Sequence, residues 1–132
     1  MKLSDRSTRS LIGVHPDLVK VIQRAAYITP LEFCVTEGVR TVARQAELYA
    51  AHATQTMNSR HIPVSNKSKL GCAVDLAAMV GGEVRWDWPL YDRLAGVVKA
   101  AAVDVGIAIE WGGDWTTLRD GPHFQLPWVA YP

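Results

Sequence analysis

The sequence predicts an α+β fold in which a small antiparallel sheet has helices packed on one side. The order of helix-like and strand-like segments along the 132 residues indicates this class. A Gly81-Gly82 pair between two segments of strand character is typical of a hairpin, which makes the sheet antiparallel at that point. The length suits one domain, so we expect residues 1–132 to fold as a single unit with no linker or internal repeat.

The first part of the chain predicts two helices around one strand. Residues 1–14 are expected to be an irregular lead. A proline and an acid, followed by apolar residues at helical spacing, predict a helix over 16–27. The β-branched and aromatic residues of 33–36 predict a strand. Thr41 is a suitable N-cap for a second helix that runs to about Ala51.

The second part of the chain begins with a long polar segment and then alternates strands with one long helix. Residues 54–69 have a loop composition without periodicity, and long loops in compact domains are often functional. The remaining predicted elements are strands over 72–77 and 83–86, a helix over 88–105 capped by Asp87, and strands over 107–111 and 123–126.

Charge and hydropathy disfavour two function classes, nucleic-acid-binding proteins and membrane-spanning proteins. Fourteen Lys and Arg residues against thirteen Asp and Glu residues leave a formal charge of +1, too low for a nucleic-acid-binding protein. Lys99, Asp104 and Glu110 interrupt the apolar stretches, so no membrane span is expected. The polar N-terminus contains no secretory signal, which predicts a protein made in the cytoplasm. Cys34 and Cys72 are expected to be reduced, buried thiols.

The four histidines divide into two pairs. His15 and His52 lie at predicted helix ends, where capping or exposure explains them. His61 lies within the polar segment, His123 begins the last predicted strand, and Asp75 lies on a predicted strand between them in the sequence. Two imidazoles and one carboxylate would hold zinc and leave a fourth position for water. The spacing alone is a weak signal, because an isolated histidine beside a carboxylate is more often a hydrogen-bonded surface residue.

Three motifs resemble those of a known family. They are Ser59-Arg60-His61, Gly71-Cys72-Ala73-Val74-Asp75-Leu76 and Asp120-Gly121-Pro122-His123-Phe124. These segments resemble the signatures of the zinc peptidases related to VanX and VanY. Within that group the chain is most similar to phage endolysins that are L-alanyl-D-glutamate peptidases, from Gly13-Val14-His15-Pro16 to Trp111-Gly112-Gly113-Asp114-Trp115.

The resemblance implies a role for five residues. His61, Asp75 and His123 would hold Zn²⁺, and Asp120 would be the acidic general base. Arg40 would stabilise the oxyanion of a tetrahedral intermediate or bind a substrate carboxylate. Without the resemblance, Asp120 would be interpreted as part of a turn and Arg40 as an ordinary surface cation.

The separation of His61 from Asp75 departs from the family pattern. The usual motif is Ser-x-His-x-x-Gly-x-Ala-x-Asp, and aligning it without a gap from Asp75 puts Ser68 in place of the histidine. That register would give an inactive site. We favour an insertion within 62–69, because lengthening a surface loop costs only ~0.6 kcal/mol per doubling.

Other residues near these motifs have simpler interpretations. Cys72 could bind zinc, but strand alternation turns it away from the face of Asp75, so packing is expected. Lys67 and Lys69 in the inserted segment could contact substrate carboxylates or belong to a lid, although solvated loop charges are the commoner case. Trp111 and Trp115 flank a glycine turn that could border the cleft.

The resemblance implies a zinc-dependent peptidoglycan peptidase that hydrolyses the L-Ala–D-Glu bond of the stem peptide. A D-Ala-D-Ala carboxypeptidase or dipeptidase of the same superfamily is the alternative enzyme, and a non-catalytic peptidoglycan-binding module is the alternative from another class. We expect a monomeric, single catalytic domain with no cell-wall-binding domain and no stable membrane association. As a phage endolysin, it would lie in the host cytoplasm and act on the wall after the membrane is permeabilised.

Overall fold

The computed structural model describes residues 1–54 and 59–132. The helices are α1 (Asp5–Ser10), α2 (Pro16–Ile28), α3 (Val42–Ala50) and α4 (Trp88–Val105), with 3₁₀ turns at Pro63–Ser65 and Gly112–Asp114. The strands are β1 (Glu32–Glu37), β2 (Ala73–Val80), β3 (Glu83–Arg85), β4 (Glu110–Trp111) and β5 (His123–Gln125). The part of the polar segment at 55–58 lies outside the described residues.

The strands form one antiparallel sheet with the order β1-β2-β5-β4, and β3 pairs with the distal half of β2. In the register of β2 with β5, Asp75 lies opposite His123. On the other edge of β2, Glu37 lies opposite Asp75, just after an irregularity in β1. The sheet therefore sets three polar side chains next to one another, and the predicted α+β class with an antiparallel sheet is confirmed.

The hydrophobic core lies between the sheet and the two longest helices. Apolar residues at helical spacing on α2 and α4 are fully or almost fully buried, among them Leu18, Ile22, Leu94 and Val98. On β2, Val74 and Leu76 belong to this core. Because strand side chains alternate, Asp75 between them points to the opposite face. The same alternation that builds the core thus presents the carboxylate on the site face of the sheet.

Three sequence predictions need correction. Residues 1–14 are not all irregular, since α1 forms there with the Ser4 side chain accepting a hydrogen bond from the backbone N–H of Ser7. Asp87 stands at the N-cap of α4, but its carboxylate accepts from Arg85 instead of a helix N–H. The strand predicted over 107–111 is shorter, because its register would put residue 108 opposite Pro127, which has no N–H to donate.

The long α4 helix shows most clearly where the sequence prediction was right. It spans the predicted residues, and Gly106, which has a left-handed φ of 70°, caps its C-terminal end. Within the described part of the chain, no helix combines the length and the apolar character that crossing a bilayer requires.

Candidate metal centre and its cleft

Three side chains that are far apart in the sequence meet beside β2 and β5. His61 Nε2 lies 3.3 Å from Asp75 Oδ1, and His123 Nδ1 lies 3.5 Å from the same oxygen. The three candidate ligand atoms all lie within 4.8 Å of one another. The structure therefore brings together the three residues that the sequence suggested as metal ligands.

A backbone carbonyl fixes the orientation of the His61 ring. His61 Nδ1 lies 2.8 Å from the carbonyl oxygen of Gly38. Because a carbonyl oxygen only accepts, this nitrogen carries the proton and Nε2 keeps its lone pair facing Asp75. A Cβ atom at Gly38 would lie 1.9 Å from the Ser10 carbonyl oxygen, so glycine is needed for the chain to pass here.

Two successive side-chain hydrogen bonds, which we call the relay, fix the orientation of the His123 ring in the same manner. His123 Nε2 lies 2.7 Å from Gln125 Oε1, and Gln125 Nε2 donates to Glu110 Oε2 at 3.1 Å. The relay places the proton of the neutral imidazole on Nε2, which leaves the Nδ1 lone pair facing Asp75. In the neutral form of each ring, the nitrogen with the lone pair therefore faces the same carboxylate, and a hydrogen-bond partner lies behind each ring.

The Asp75 carboxylate occupies the centre of this group. Its Oδ1 atom is buried and accepts no hydrogen bond from any residue the structure describes. Burial disfavours the charged form, yet in the absence of a metal the His123 and His61 rings, when protonated, outweigh burial and hold the pKa of Asp75 well below its usual range. A buried acceptor without a donor costs free energy unless another group satisfies it. The donor set, two imidazole nitrogens and a carboxylate oxygen, fits a metal ion at this point.

His123 responds to the same carboxylate. Burial acts to lower the pKa of His123, but the negative charge of Asp75 outweighs it and raises that pKa. The residue is buried at 6% exposure, so Asp75 and Gln125, and not bulk water, are the polar neighbours of its ring nitrogens.

The insertion between His61 and Asp75 leaves His61 in place. Ser68, which the ungapped register would put at the site, lies near the Cys72 thiol instead, with 4.0 Å between Oγ and Sγ. Asn66 is buried and donates to the carbonyl oxygens of Ile62 and Leu70, which ties the two ends of the inserted segment together. The segment therefore closes on itself, and the interpretation as an insertion agrees with the structure.

Arg40 lies beside the metal-binding group and is held by two neighbours. Its Nε and Nη2 atoms donate to the two carboxylate oxygens of Glu37 at 2.7 and 2.6 Å, and Nη1 donates to Gln45 Oε1 at 2.8 Å. Its Nη2 is 3.8 Å from Asp75 Oδ2. Burial acts to lower the pKa of Arg40, but Glu37 and Asp75 outweigh it and raise that pKa. The guanidinium is thus a permanently charged group in a fixed position.

Asp120 reaches the same cleft from the turn before β5. Its backbone N–H donates to the Gly112 carbonyl oxygen at 3.0 Å, and its own carbonyl oxygen accepts from the His123 N–H. A Cβ atom at Gly112 would lie 2.3 Å from the Asp120 carbonyl oxygen, so the turn packs closely only against glycine. Burial, followed by the negative charge of Asp75, raises the pKa of Asp120. The raised pKa suits a carboxylate that exchanges protons.

All five suggested site residues line one open cleft, together with residues from α3 and from the segment before β5. The sequence model of the phage L-alanyl-D-glutamate peptidase family matches residues 1–126 of the chain. The chain belongs to this family.

Individual relatives agree with the family assignment. The L-alanyl-D-glutamate peptidase of Escherichia phage T5 is 30% identical over 90% of this chain and 85% of its own length. The L-alanyl-D-glutamate peptidase of Listeria phage A118 is 34% identical over 76% of this chain but only 32% of its own length.

Solved structures extend the likeness to three dimensions. The crystal structure of the Serratia marcescens L-Ala D-Glu endopeptidase ChiX superposes with a TM-score of 0.87 at 45% identity, covering 98% of this chain and 92% of that one. The D,D-dipeptidase VanXYg superposes with a TM-score of 0.53 at 18% identity, covering 86% of this chain and 50% of that one, which shows a shared fold.

Several supporting residues of this phage L-alanyl-D-glutamate peptidase family member were not recognised from sequence. Gln125 and Glu110 orient His123, and alternation along β5 could have placed Gln125 on the face of His123. Gln45 on α3 is fully buried against Arg40, which the amphipathic pattern of a surface helix does not suggest. Arg60 was noted only as part of a motif, yet it is buried at 3% exposure.

The remaining sequence predictions have mixed outcomes. Cys72 packs in the core as expected, whereas Cys34 is only partly buried. Trp115 borders the cleft with its ring 5.2 Å from that of His123, but Trp111 is buried against Phe124. His15 caps α2 by accepting from the Asp17 N–H.

The side chains of Lys67 and Lys69 do not belong to the lining of the described cleft. The backbone N–H of Lys67 instead donates to the carbonyl oxygen of Pro132, so the inserted segment lies against the C-terminal residues. The lid interpretation of this segment therefore finds no support in the described contacts.

Proposed function

We propose that the chain is a zinc-dependent peptidoglycan peptidase that hydrolyses the L-Ala–D-Glu bond of the stem peptide. The observation that carries the proposal is the pair of oriented imidazoles facing the orphaned Asp75 oxygen, within the cleft of a phage L-alanyl-D-glutamate peptidase family member. The bond follows from the family and from relatives such as the phage T5 peptidase, which is named for that activity.

Zinc is the ion that this donor set favours. Two histidine nitrogens and one carboxylate oxygen, with one position left open, are typical of catalytic zinc sites. Tetrahedral ligands about 2.0–2.1 Å from an ion lie about 3.3–3.4 Å apart, close to the 3.3 and 3.5 Å separations found between the imidazoles and Asp75. His61, Asp75 and His123 would hold the ion, which when bound lowers the pKa of water and polarises a carbonyl group.

Asp120 is the general base and acid in this proposal. Its carboxylate lines the cleft that holds the ligand group, and burial raises its pKa toward the range in which a carboxyl group both takes and returns a proton. It would take a proton from the attacking water and deliver it to the amine that leaves on the D-Glu side. This return of the proton makes the amine a competent leaving group.

Arg40 supplies electrostatic support. Its charge is fixed by Glu37 and Gln45, so it needs no rearrangement when negative charge develops on the carbonyl oxygen of the substrate. The bidentate pair with Glu37 limits the field that Arg40 exerts outward, which favours a supporting role over direct capture of a substrate carboxylate.

The wider context is also part of the proposal. We infer that residues 1–132 act as a monomeric catalytic domain that binds the peptidoglycan stem peptide and neither nucleic acid nor membrane. The protein would reside in the host cytoplasm and reach the wall after the membrane is permeabilised.

The test is mass spectrometry of purified peptidoglycan digested by the protein, with the new termini identified. We expect new N-terminal D-Glu, lost after chelation and restored when zinc is added back. Release of terminal D-Ala would move the protein to the carboxypeptidase alternative. Wall binding without new termini would favour the binding module.

A further inference from the structure

Four arginines line the cleft, namely Arg40, Arg44, Arg60 and Arg119. Carboxylates also line it, including those of Asp75 and Asp120. Each arginine differs in what its guanidinium already binds, and this difference separates supporting cations from one that is available to a ligand.

Three of the four guanidinium groups are engaged within the protein. Arg40 makes a bidentate ion pair with Glu37. Arg44 donates to Glu47 at 3.0 Å on the exposed surface of α3. Arg60 is buried, and its three nitrogens donate to two backbone carbonyl oxygens and one side-chain amide oxygen. Arg40 and Arg60 therefore present no free guanidinium edge to a ligand, and the charge of Arg44 is balanced by Glu47 on the exposed surface.

Arg119 is held in a different manner. Its Nε donates to the carbonyl oxygen of Gly113 at 2.9 Å, and its Cζ atom lies 4.2 Å from the centre of the Trp88 ring. Trp88 in turn packs against the rings of Tyr91 and Trp111, so the surface under the guanidinium is fixed. Within residues 1–54 and 59–132, the two Nη atoms of Arg119 have no hydrogen-bond or ion-pair partner.

This arrangement is suited to a carboxylate. An arginine that is already positioned by a hydrogen bond and a ring contact loses less conformational entropy when it binds. Its two Nη atoms provide four N–H donors that can meet the two oxygens of a carboxylate. Because Arg119 directly precedes Asp120, that carboxylate would be bound on the side of the cleft where the leaving amine receives its proton.

The substrate in the proposed function carries such a group at that place. Glutamate has two carboxyl groups, and a D-Glu residue within a peptide uses one of them for its onward bond. The other remains as a charged group on the leaving-group side of the scissile bond.

We propose that Arg119 is a specificity-determining residue that binds the free carboxylate of the D-Glu residue. The inference rests on the proposed function and extends it by assigning the group that distinguishes D-Glu from an uncharged residue. Arg119 acts on substrate recognition, while proton transfer remains with Asp120.

The test uses two synthetic peptides that contain the L-Ala–D-Glu bond and differ only in that the free carboxyl group of D-Glu is an acid in one and an amide in the other. We expect the wild-type protein with zinc to show a kcat/KM about 10- to 100-fold higher for the acid, the range of a charge-assisted hydrogen bond. Arg119→Gln should reduce kcat/KM for the acid to near the value for the amide, and leave the amide almost unchanged.

Arg44→Gln is the matched control, because Arg44 lines the same cleft but is paired with Glu47. It should keep the preference for the acid. Equal kcat/KM of the wild-type protein for both peptides would overturn the inference, and this comparison needs no variant to fold. An equal loss on both peptides in a folded Arg119→Gln protein would also overturn it. Failure to cleave either peptide, by contrast, would refute the proposed function itself.

Discussion

The two sides of the metal-binding group are built differently. Asp75 and His123 face each other across paired strands, and Gln125 two residues further along β5 orients the imidazole. His61 belongs to no strand and is held by the Gly38 carbonyl oxygen and by contacts of its own backbone. Local alternation fixes the strand side, whereas the loop side depends on contacts between distant segments.

Arg60 is the principal contact of the loop side. Its guanidinium donates twice to the Leu126 carbonyl oxygen, once to the Tyr131 carbonyl oxygen and once to Asn66 Oδ1, and it lies 4.1 Å from the Trp128 ring centre. These bonds join the inserted segment and the C-terminal residues to the residue that precedes His61. The loop side is therefore held by one buried arginine, whereas the strand side is held by the backbone hydrogen bonds between paired strands.

Replacing Asp75 should disrupt metal binding on both sides of the group, because Asp75 Oδ1 is the atom that both imidazoles approach. We expect Asp75→Ala to lose bound zinc and to reduce hydrolysis to the background rate. Metal analysis of the purified variant, together with the peptidoglycan digest, measures both effects. Asp92→Ala, at an exposed position of α4, is the control and should keep both. Normal zinc content in Asp75→Ala would remove Asp75 from the ligand set.

Replacing Asp120 should reduce the rate of hydrolysis without changing metal binding on the strand side. Asp120→Asn keeps the shape of the side chain but cannot accept a proton, so kcat should fall about 100- to 10,000-fold. Zinc content should remain that of the wild type, since Asp120 is outside the three-residue ligand group. A near-normal rate with full zinc content would make another group the base.

Replacing Gln125 tests the strand side through its orienting relay. Gln125→Leu removes the acceptor behind His123, and we expect zinc affinity to fall about 10- to 100-fold. Competition with a chelator of known affinity measures the change. Gln23→Leu, at an exposed position of α2, should have no effect. Unchanged affinity in Gln125→Leu would show that the strands alone orient His123.

Replacing Arg60 tests the loop side. Arg60→Met retains an apolar side chain but leaves buried carbonyl oxygens without donors, so the free energy of unfolding should fall by about 1.5–3 kcal/mol. Zinc affinity should fall less than in Gln125→Leu, because Arg60 does not touch the His61 ring. Urea unfolding of the zinc-free protein measures the stability, and Arg44→Met is the surface control. If the free energy of zinc binding fell by more than the free energy of unfolding, Arg60 would be orienting His61 directly.

The smallest effect is expected at Tyr131, whose hydroxyl donates to Asp17 Oδ2 at 2.7 Å. This hydrogen bond, followed by burial, raises the pKa of Tyr131 to about 12. The folded protein thus holds the proton more tightly than the unfolded chain, so this stabilisation is complete below about pH 10 and is lost as the pH rises toward 12. Tyr131→Phe should lower stability by about 1 kcal/mol at pH 8 and flatten the alkaline loss of Tm. An unchanged alkaline profile would contradict this assignment.

The difference between the two sides also explains what the sequence could predict. Asp75 and His123 lie in segments whose alternation and turn residues are local, and the motifs place them directly. The position of His61 required a choice between two registers that local pattern does not distinguish, and only the contacts of Asn66 and Gly38 decide it. The same limit hid Arg60, because its partners are as many as 71 residues away in the sequence.

Errors in the fold have related causes. The six residues of α1 are too few to show a helical period, and the Ser4 cap is their only local sign. The length of β4 depends on its partner strand, since β5 ends two residues before Pro127. Propensity within 107–109 therefore could not reveal that the ladder stops.

The inserted segment offers a use outside the natural activity. Its base is closed by Asn66, while residues 67–69 are exposed and away from the lining of the cleft. A foreign peptide spliced between Ser68 and Lys69 would project into solvent, and the entropy of the longer loop would cost only ~0.6 kcal/mol for each doubling. The segment is thus a grafting point at which an epitope or an affinity peptide can be displayed by the protein without rebuilding its cleft.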